Sequence, residues 1–230
     1  MARFCLSLAA TVFVIALGGM AKAATVVAPV SVTTDLDPLS AAYDVNNVIN
    51  QSGLSTGYTS GVTDFSTYIA TNPTEPNGTG FTFAGELRTF SGNFVFDLGG
   101  LYSVSQLALW NRGPSLQGIQ DFSLYSSDTS GFAGGSLISS FTASAGVSNS
   151  AAASNGARLQ VFGFAETQAR FIRLEVSSVY GNCCVSLSEV AFDGAPVSAV
   201  PVPASLPLLA VGFIALGALG RRKRITSLHG

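Results

Sequence analysis

Histidine is almost absent from this chain: among 230 residues there is one, His229, next to the C-terminal end. Its scarcity excludes a Ser-His-Asp or Cys-His catalytic arrangement, and a histidine-based zinc site, from everything that precedes it. Cysteine is nearly as scarce, with Cys5 and the adjacent pair Cys183 and Cys184. In an oxidising compartment the pair has three fates: a vicinal disulfide, a bridge to another chain, or two free thiols acting as fillers. Positive charge is thin as well. Of 11 Lys and Arg residues, six lie in the first 22 and last ten positions, which leaves Arg88, Arg112, Arg158, Arg170 and Arg173. All 13 acidic residues lie between those ends, so residues 24–199 carry a net charge of −8 while the whole chain carries −2. A domain of that sign repels phosphate backbones, which excludes nucleic acid as a partner. The chemistry left open to an enzyme is a pair of carboxylates, as in a glycosidase, but no acidic pair sits in a recognisable motif.

The long apolar runs are confined to the two ends. Arg3 is the only side-chain charge before a run from Phe4 to Met20, and Ala21-Lys22-Ala23 places small residues where a signal peptidase cuts. Residues 1–23 are therefore expected to be a signal peptide cleaved after Ala23, with an uncleaved anchor as the alternative. At the other end, Ser205 to Gly220 carries no charge and is followed at once by Arg221, Arg222, Lys223 and Arg224. A helix of about 16 residues spans roughly 24 Å, and one of about 21 residues, counted from Val200, roughly 31 Å. The expectation is a short transmembrane helix over 205–220, with its basic end in the cytoplasm by the positive-inside rule. Pro201 and Pro203 favour extended backbone ahead of it.

Signal peptide, central domain, proline motif, apolar helix and basic cluster in that order resemble the bacterial PEP-CTERM class of sorting signals. Here the motif is Val200-Pro201-Val202-Pro203-Ala204, close to the VPLPA variant with Val202 in place of Leu. The resemblance implies an exported protein, held in the inner membrane by its tail and then processed by an exosortase onto the cell surface or into the extracellular matrix. Rhomboid-type cleavage and permanent anchoring are the other outcomes.

The middle, residues 24–199, is large enough for one domain with a hydrophobic core. Its dominant period is two: Phe94, Phe96 and Leu98 alternate with polar neighbours, as do Phe122 and Leu124, while Ile172, Leu174 and Val176 alternate with Phe171, Arg173 and Glu175. Further strands are expected at 103–110, 137–142, 157–164 and 185–192. Breakers fall between them at Gly99-Gly100, Arg112-Gly113-Pro114, Gly134-Gly135, Asn155-Gly156 and Gly181-Asn182. Short strands separated by such turns predict an all-β, antiparallel sandwich. Residues 36–76, rich in Asn, Ser, Thr and Gly, read as loops with one short helical turn across one end. Residues 144–154 read as a flexible loop.

Strand order carries a second resemblance. Phe96 to Asn111 (FDLGGLYSVSQLALWN), Ile119 to Asp128 (IQDFSLYSSD), Ala169 to Val176 (ARFIRLEV) and Val185 to Gly194 (VSLSEVAFDG) are similar to the discoidin, or coagulation factor V/VIII type C, family. That family implies a galactose-binding-like jelly roll. Departures are the lack of an early Trp, the first one being Trp110, and the lack of paired terminal cysteines. In many relatives an early Asp and the last strand's Glu help to hold a structural calcium, which matches Asp44 and Glu189. The plainer reading is that Asp44 caps a turn and Glu189 pairs with an arginine. Ligand contacts in such jelly rolls come from loops at one end, so Tyr58, Tyr68, Trp110 and Arg112 are the candidates. Against this, Trp110 ends a strand and suits a core, Arg112 suits loop closure, and Arg170 and Arg173 suit structural pairing with acids. The reading overall is a non-catalytic binding module for extracellular polysaccharide; the alternatives are a structural envelope or biofilm component, and after it a glycosidase.

Overall fold

In a computed structural model the described residues are 24–76, 80–112, 117–145 and 156–197. The chain divides into two units, Met1–Pro196 and Val197–Gly230. The expected signal peptide 1–23, sorting motif Val200 to Ala204, helix 205–220 and basic cluster Arg221 to Arg224 lie outside the described residues. Among the described residues no helix is long and apolar enough to cross a membrane.

The described residues of the first unit contain nine strands, β1 (Thr25–Val27), β2 (Ser31–Thr34), β3 (Thr74–Pro76), β4 (Phe83–Ala84), β5 (Gly92–Asn111), β6 (Asp121–Ser127), β7 (Ser136–Thr142), β8 (Gly156–Val176) and β9 (Ser186–Pro196). One α-helix, α1 (Phe65–Ala70), and two 3-10 turns at Ala41–Tyr43 and Val45–Val48 occupy the early segment. All named strand pairs are antiparallel. The predicted all-β antiparallel sandwich is thus the observed architecture.

Two long bent strands organise the sandwich. The alternating residues of β5 and β8 pair over Gly92–Asp97 with Phe171–Val176, and again, after a shift of register, over Gln106–Asn111 with Arg158–Gly163. The first half of β5 and the last part of β8, with β2, β6 and β7, form one layer. The second half of β5 and the first part of β8, with β1, β3, β4 and β9, form the other. Gly99 and Gly100, expected to end a strand, instead let β5 pass from one layer to the other. Gly99 has φ +78°, a backbone region that favours glycine, and the Gly99 N–H donates to Asp97 Oδ1 at 2.8 Å. Arg170 closes the same corner with two 3.1 Å hydrogen bonds to the Asp97 carboxylate. Together they hold the Asp97 carboxyl below the usual carboxylate range. The second arginine, Arg173, pairs with Glu175 at 3.3 Å, so both carry out the structural pairing expected of them.

Between the layers lie Phe94, Phe96, Leu98, Leu107, Leu109, Phe122, Leu124, Ile172, Leu174, Val190 and Phe192. Removing each such side chain from water contributes about 1.5–3 kcal/mol. Edge-to-face ring pairs, among them Phe83 with Phe94 at 5.3 Å and Phe122 with Phe162 at 5.2 Å, tighten this core. The layer built on β5 and β9 is also covered on its outer face, where Ala108, Trp110 and Ala191 pack under Tyr58, Phe65 and Tyr68. That cover is made by α1 and the segment before it. Asp64 caps the helix, its carboxylate accepting from Thr67 N at 2.8 Å, and Asn72 at φ +49° with Pro73 follows its end.

Candidate functional site

Arg112 leaves the end of β5, half-buried, with its guanidinium over the Tyr43 ring at 5.5 Å. Its Nη1 donates to Ser186 Oγ at 3.3 Å, and burial lowers its pKa while Tyr43 opposes that shift. Ser186 Oγ lies 3.8 Å from Cys184 Sγ, and Cys184 is joined to Cys183 in a vicinal disulfide. Gln117 donates from Nε2 to Cys183 Sγ at 3.2 Å. The Cys183 carbonyl in turn accepts from Arg88 N, and Thr89 O accepts from Val185 N at 2.8 Å. This second pairing ties the disulfide turn to a loop that exposes Leu87 (65%) and Phe90 (42%). One end of the sandwich therefore joins, through the disulfide turn, two planar hydrogen-bonding groups, Arg112 and Gln117, and a loop with exposed apolar side chains. Sugar binding needs that combination, apolar surface for the C–H face and planar polar groups for hydroxyls.

Of the four aromatic and basic candidates read from sequence, only Arg112 lies in this loop cluster. Trp110 is fully buried and donates its indole N–H to Pro73 O at 2.9 Å. Tyr68, 3% exposed, donates to Thr56 O at 2.9 Å, and Tyr58 packs on it edge-to-face at 5.1 Å. These three rings are the covering layer of the sheet, which corrects their expected role as sugar-stacking platforms. The spacing of Tyr43, Leu87, Phe90 and Gln117 gives no signal of this cluster: Tyr43 ends a 3-10 turn and the others sit in irregular segments, none with a period.

A groove of about 660 Å³ at the start of β5 is lined by Asp35, Leu36, Asn93, Glu175 and Ser177. It contains the carboxylates of Asp35 and Glu175, and both are engaged. Asp35 accepts from Asn93 N and Asn93 Nδ2, each at 2.7 Å, and Glu175 is the partner of Arg173. A glycosidase needs one acid held protonated and a second one free, and neither group is arranged so.

A different pair of acids is buried on the outer face of the β9 layer. Glu189 on β9 is 0% exposed and Glu75 on β3 is 1% exposed. Glu189 Oε2 accepts from Gln51 N at 3.0 Å, whereas Glu189 Oε1, both Glu75 oxygens and the Tyr58 hydroxyl are buried without a hydrogen-bond partner. The Tyr58 hydroxyl stands beside the Glu189 carboxylate, close enough for each to shift the ionisation of the other. Burial and then the Glu189 charge push the Glu75 carboxyl up to about 10. Burial pushes Glu189 up to about 8, against the lowering effect of the Gln51 N–H. Both tyrosines are raised, by burial first and by these acids second.

The expected calcium ligands are not brought together. Asp44 is the cap of the 3-10 turn Val45–Val48, its Oδ1 accepting from Asn46 N at 2.8 Å and Asn46 Nδ2 at 2.7 Å. It lines a separate, shallow pocket with Val32, Pro38 and Phe83. Among the described residues Glu189 pairs with no arginine. Among the described residues no cluster of three or more His, Cys, Asp or Glu forms. The buried carboxylates of Glu75 and Glu189 are nonetheless oxygen donors of the type a hard cation takes.

No family model matches the sequence. No curated protein matches it either. Solved structures do. The CBM32-1 and CBM32-2 domains of Clostridium perfringens ZmpB in complex with GalNAc match with TM-score 0.50 at 11% identity, over 75% of this chain and 40% of that one. A family 32 module of C. perfringens NanJ in complex with galactose gives 0.49 at 12%, over 74% and 98%. Chitosan-binding module 1 of a chitosanase/glucanase from Paenibacillus sp. IK-5 gives 0.47 at 12%, over 72% and 96%. The domain shares the antiparallel jelly-roll β-sandwich fold of these solved modules.

Proposed function

We propose that the chain is a non-catalytic carbohydrate-binding module, exported and sorted by its C-terminal tail, whose glycan surface is the loop end around Arg112 and the Cys183–Cys184 turn. The observation that carries this reading is the continuous set from Tyr43 through Arg112 and Ser186 to the disulfide, with Phe90 and Leu87 exposed beside it. The jelly-roll fold supports it, since the structures it resembles are named for sugar binding. The ligand class is a neutral or amino sugar, because the domain's excess of acids repels anionic polysaccharide.

A glycan array with the purified full-length protein, followed by titration calorimetry of each hit, tests the proposal. Saturable binding weakened at least about tenfold, or about 1.4 kcal/mol, by both Arg112→Ala and Phe90→Ala supports it. A blank array accompanied by self-association points to a structural envelope component instead. For the tail, mass spectrometry of the exported protein is decisive: loss of Arg221 to Arg224 supports sorting, and an intact tail on every molecule argues for permanent anchoring.

A further inference from the structure

We propose that the Cys183–Cys184 disulfide is a reducible latch on the loop end: a dithiol that opens it frees the segment Leu87–Phe90 and weakens glycan binding. The effect on glycan rests on the surface proposed above; the release of the segment does not. Because the disulfide joins neighbours in sequence, it closes no large loop, and stabilisation of the whole fold grows with loop length. Its hold is local.

Three groups of the loop end are attached to its two residues. The Cys183 carbonyl accepts from Arg88 N, and Cys183 Sγ accepts from Gln117 Nε2 at 3.2 Å. Cys184 Sγ lies 3.8 Å from Ser186 Oγ, which accepts from Arg112 Nη1. Thr89 runs beside Cys184 in a parallel bridge, and Val185 N donates to Thr89 O at 2.8 Å. Arg88 adopts φ +70°, a left-handed conformation that a non-glycine residue rarely takes. Leu87, Arg88 and Phe90 are all exposed, so it is these backbone ties to the disulfide turn, not burial, that keep the segment in place.

Burial decides which sulfur yields when the bond opens. Two unbonded sulfurs need about 3.5 Å or more, against about 2 Å in the bond. Cys184 is fully buried, as are Val185 and Ser186 after it. Cys183 is partly exposed and follows Gly181, at φ +80°, and Asn182, both exposed. Cys183 therefore moves, taking with it the carbonyl that holds Arg88 and the sulfur that holds Gln117. A thiolate of the dithiol attacks the accessible Cys183 Sγ, and the Cys184 sulfur leaves and takes up a proton. The second thiol of the reagent then attacks the mixed disulfide, releasing Cys183 as a thiol. Two electrons and two protons pass to the protein, and the reagent departs as its disulfide.

The test uses purified full-length protein with dithiothreitol as the dithiol, its redox state scored by the alkylated mass of the peptide bearing Cys183 and Cys184. Limited trypsin digestion reads the latch without any glycan. Cleavage after Arg88 is expected to be at least about tenfold faster in the reduced protein, with the emission of buried Trp110 unchanged, and reoxidation is expected to restore protection. A Cys183→Ser/Cys184→Ser double variant is expected to be cut at the fast rate with or without dithiothreitol; wild-type protein cycled between the two states carries the test if that variant does not fold. Calorimetry with a glycan-array hit is expected to show at least about tenfold weaker binding after reduction. Equal cleavage at Arg88 in both states overturns the latch, as does a reduction that unmasks Trp110 together with Arg88, because that is global unfolding. Unchanged affinity for a confirmed hit overturns the coupling to glycan. If the oxidised protein binds no glycan, the glycan reading fails, and cleavage at Arg88 still decides the latch.

Discussion

Removing the carboxylate of Asp193 is expected to cost this domain about a quarter or more of its stability. Asp193 on β9 is 3% exposed and lies opposite the point where β5 is irregular: Ser103 pairs with Ala195 and Leu107 with Phe192, so three β5 residues face two on β9. An extra residue in one strand leaves backbone N–H groups without ladder partners. Asp193 Oδ1 accepts from Ser105 N at 2.7 Å and Gln106 N at 2.6 Å, and Oδ2 accepts from Ser105 Oγ at 2.8 Å. The side chain thus replaces the missing carbonyl acceptors of the bulge. A hydrogen bond to a charged group is worth about 1.5–3 kcal/mol, and a buried donor left unpaired carries its own desolvation cost, so Asp193→Ala is expected to lose about 4 kcal/mol. Against a total of about 5–15 kcal/mol, that is a large share, and for a domain of this size it lowers the thermal midpoint by roughly 8–16 °C. Asp193→Asn keeps Oδ1 for both N–H groups and can donate from Nδ2 to Ser105 Oγ, so it is expected to lose only about 1–2 kcal/mol. Urea titrations followed by circular dichroism compare the three proteins. A loss under about 1 kcal/mol in the alanine variant, or equal losses in both, refutes the claim that this carboxylate holds the bulge.

Two further outcomes follow from the buried layer. In calcium-free protein, Glu75 and Glu189 have folded-state pKa values raised to about 10 and about 8, well above the unfolded value near 4.3. Over that interval the folded state binds more protons than the unfolded one, so stability falls as pH rises from about 5 toward 8 and beyond, by up to about 1.4 kcal/mol per pH unit per carboxyl. Urea midpoints in chelator at pH 6 and pH 9 are expected to show the drop, and Glu189→Gln to shrink it; a flat or rising profile contradicts it. Trp110 is the only tryptophan and is fully buried, so its emission is expected to be blue-shifted in the folded protein and unmoved by saturating glycan. A sugar-dependent shift would mean that the covering layer opens to ligand.

Period-two alternation identified the β5, β6, β8 and β9 segments because each has at least one face in the interior, and Phe94, Phe96 and Leu98 are buried as their spacing implies. The same rule misjudged continuity. Gly99-Gly100 looks like a break, but the chain keeps its pairing partner across it, so β5 and β8 are single strands serving both layers. Strands β1 and β2, of three and four residues, are too short to show a period and exist through their pairing with β9 and β5. Tyr58, Tyr68 and Trp110 were misplaced for a related reason. The β9 layer is covered on both faces, Ala191 and Trp110 outward and Val190 and Leu109 inward, so aromatic side chains near loops become a second core instead of a ligand platform. That second core explains why the acids in it escape a reading of spacing. Glu189 is legible as the last-strand acid of the discoidin-like pattern, but Glu75 lies between Pro73 and Pro76 in a segment with no periodicity, 114 positions earlier. Only the pairing of β3 with β8, at the edge of the covered layer, turns it inward toward Glu189. The buried acid pair is therefore a property of topology: two strands with no direct ladder between them each contribute one acid to a face that the covering segment then seals.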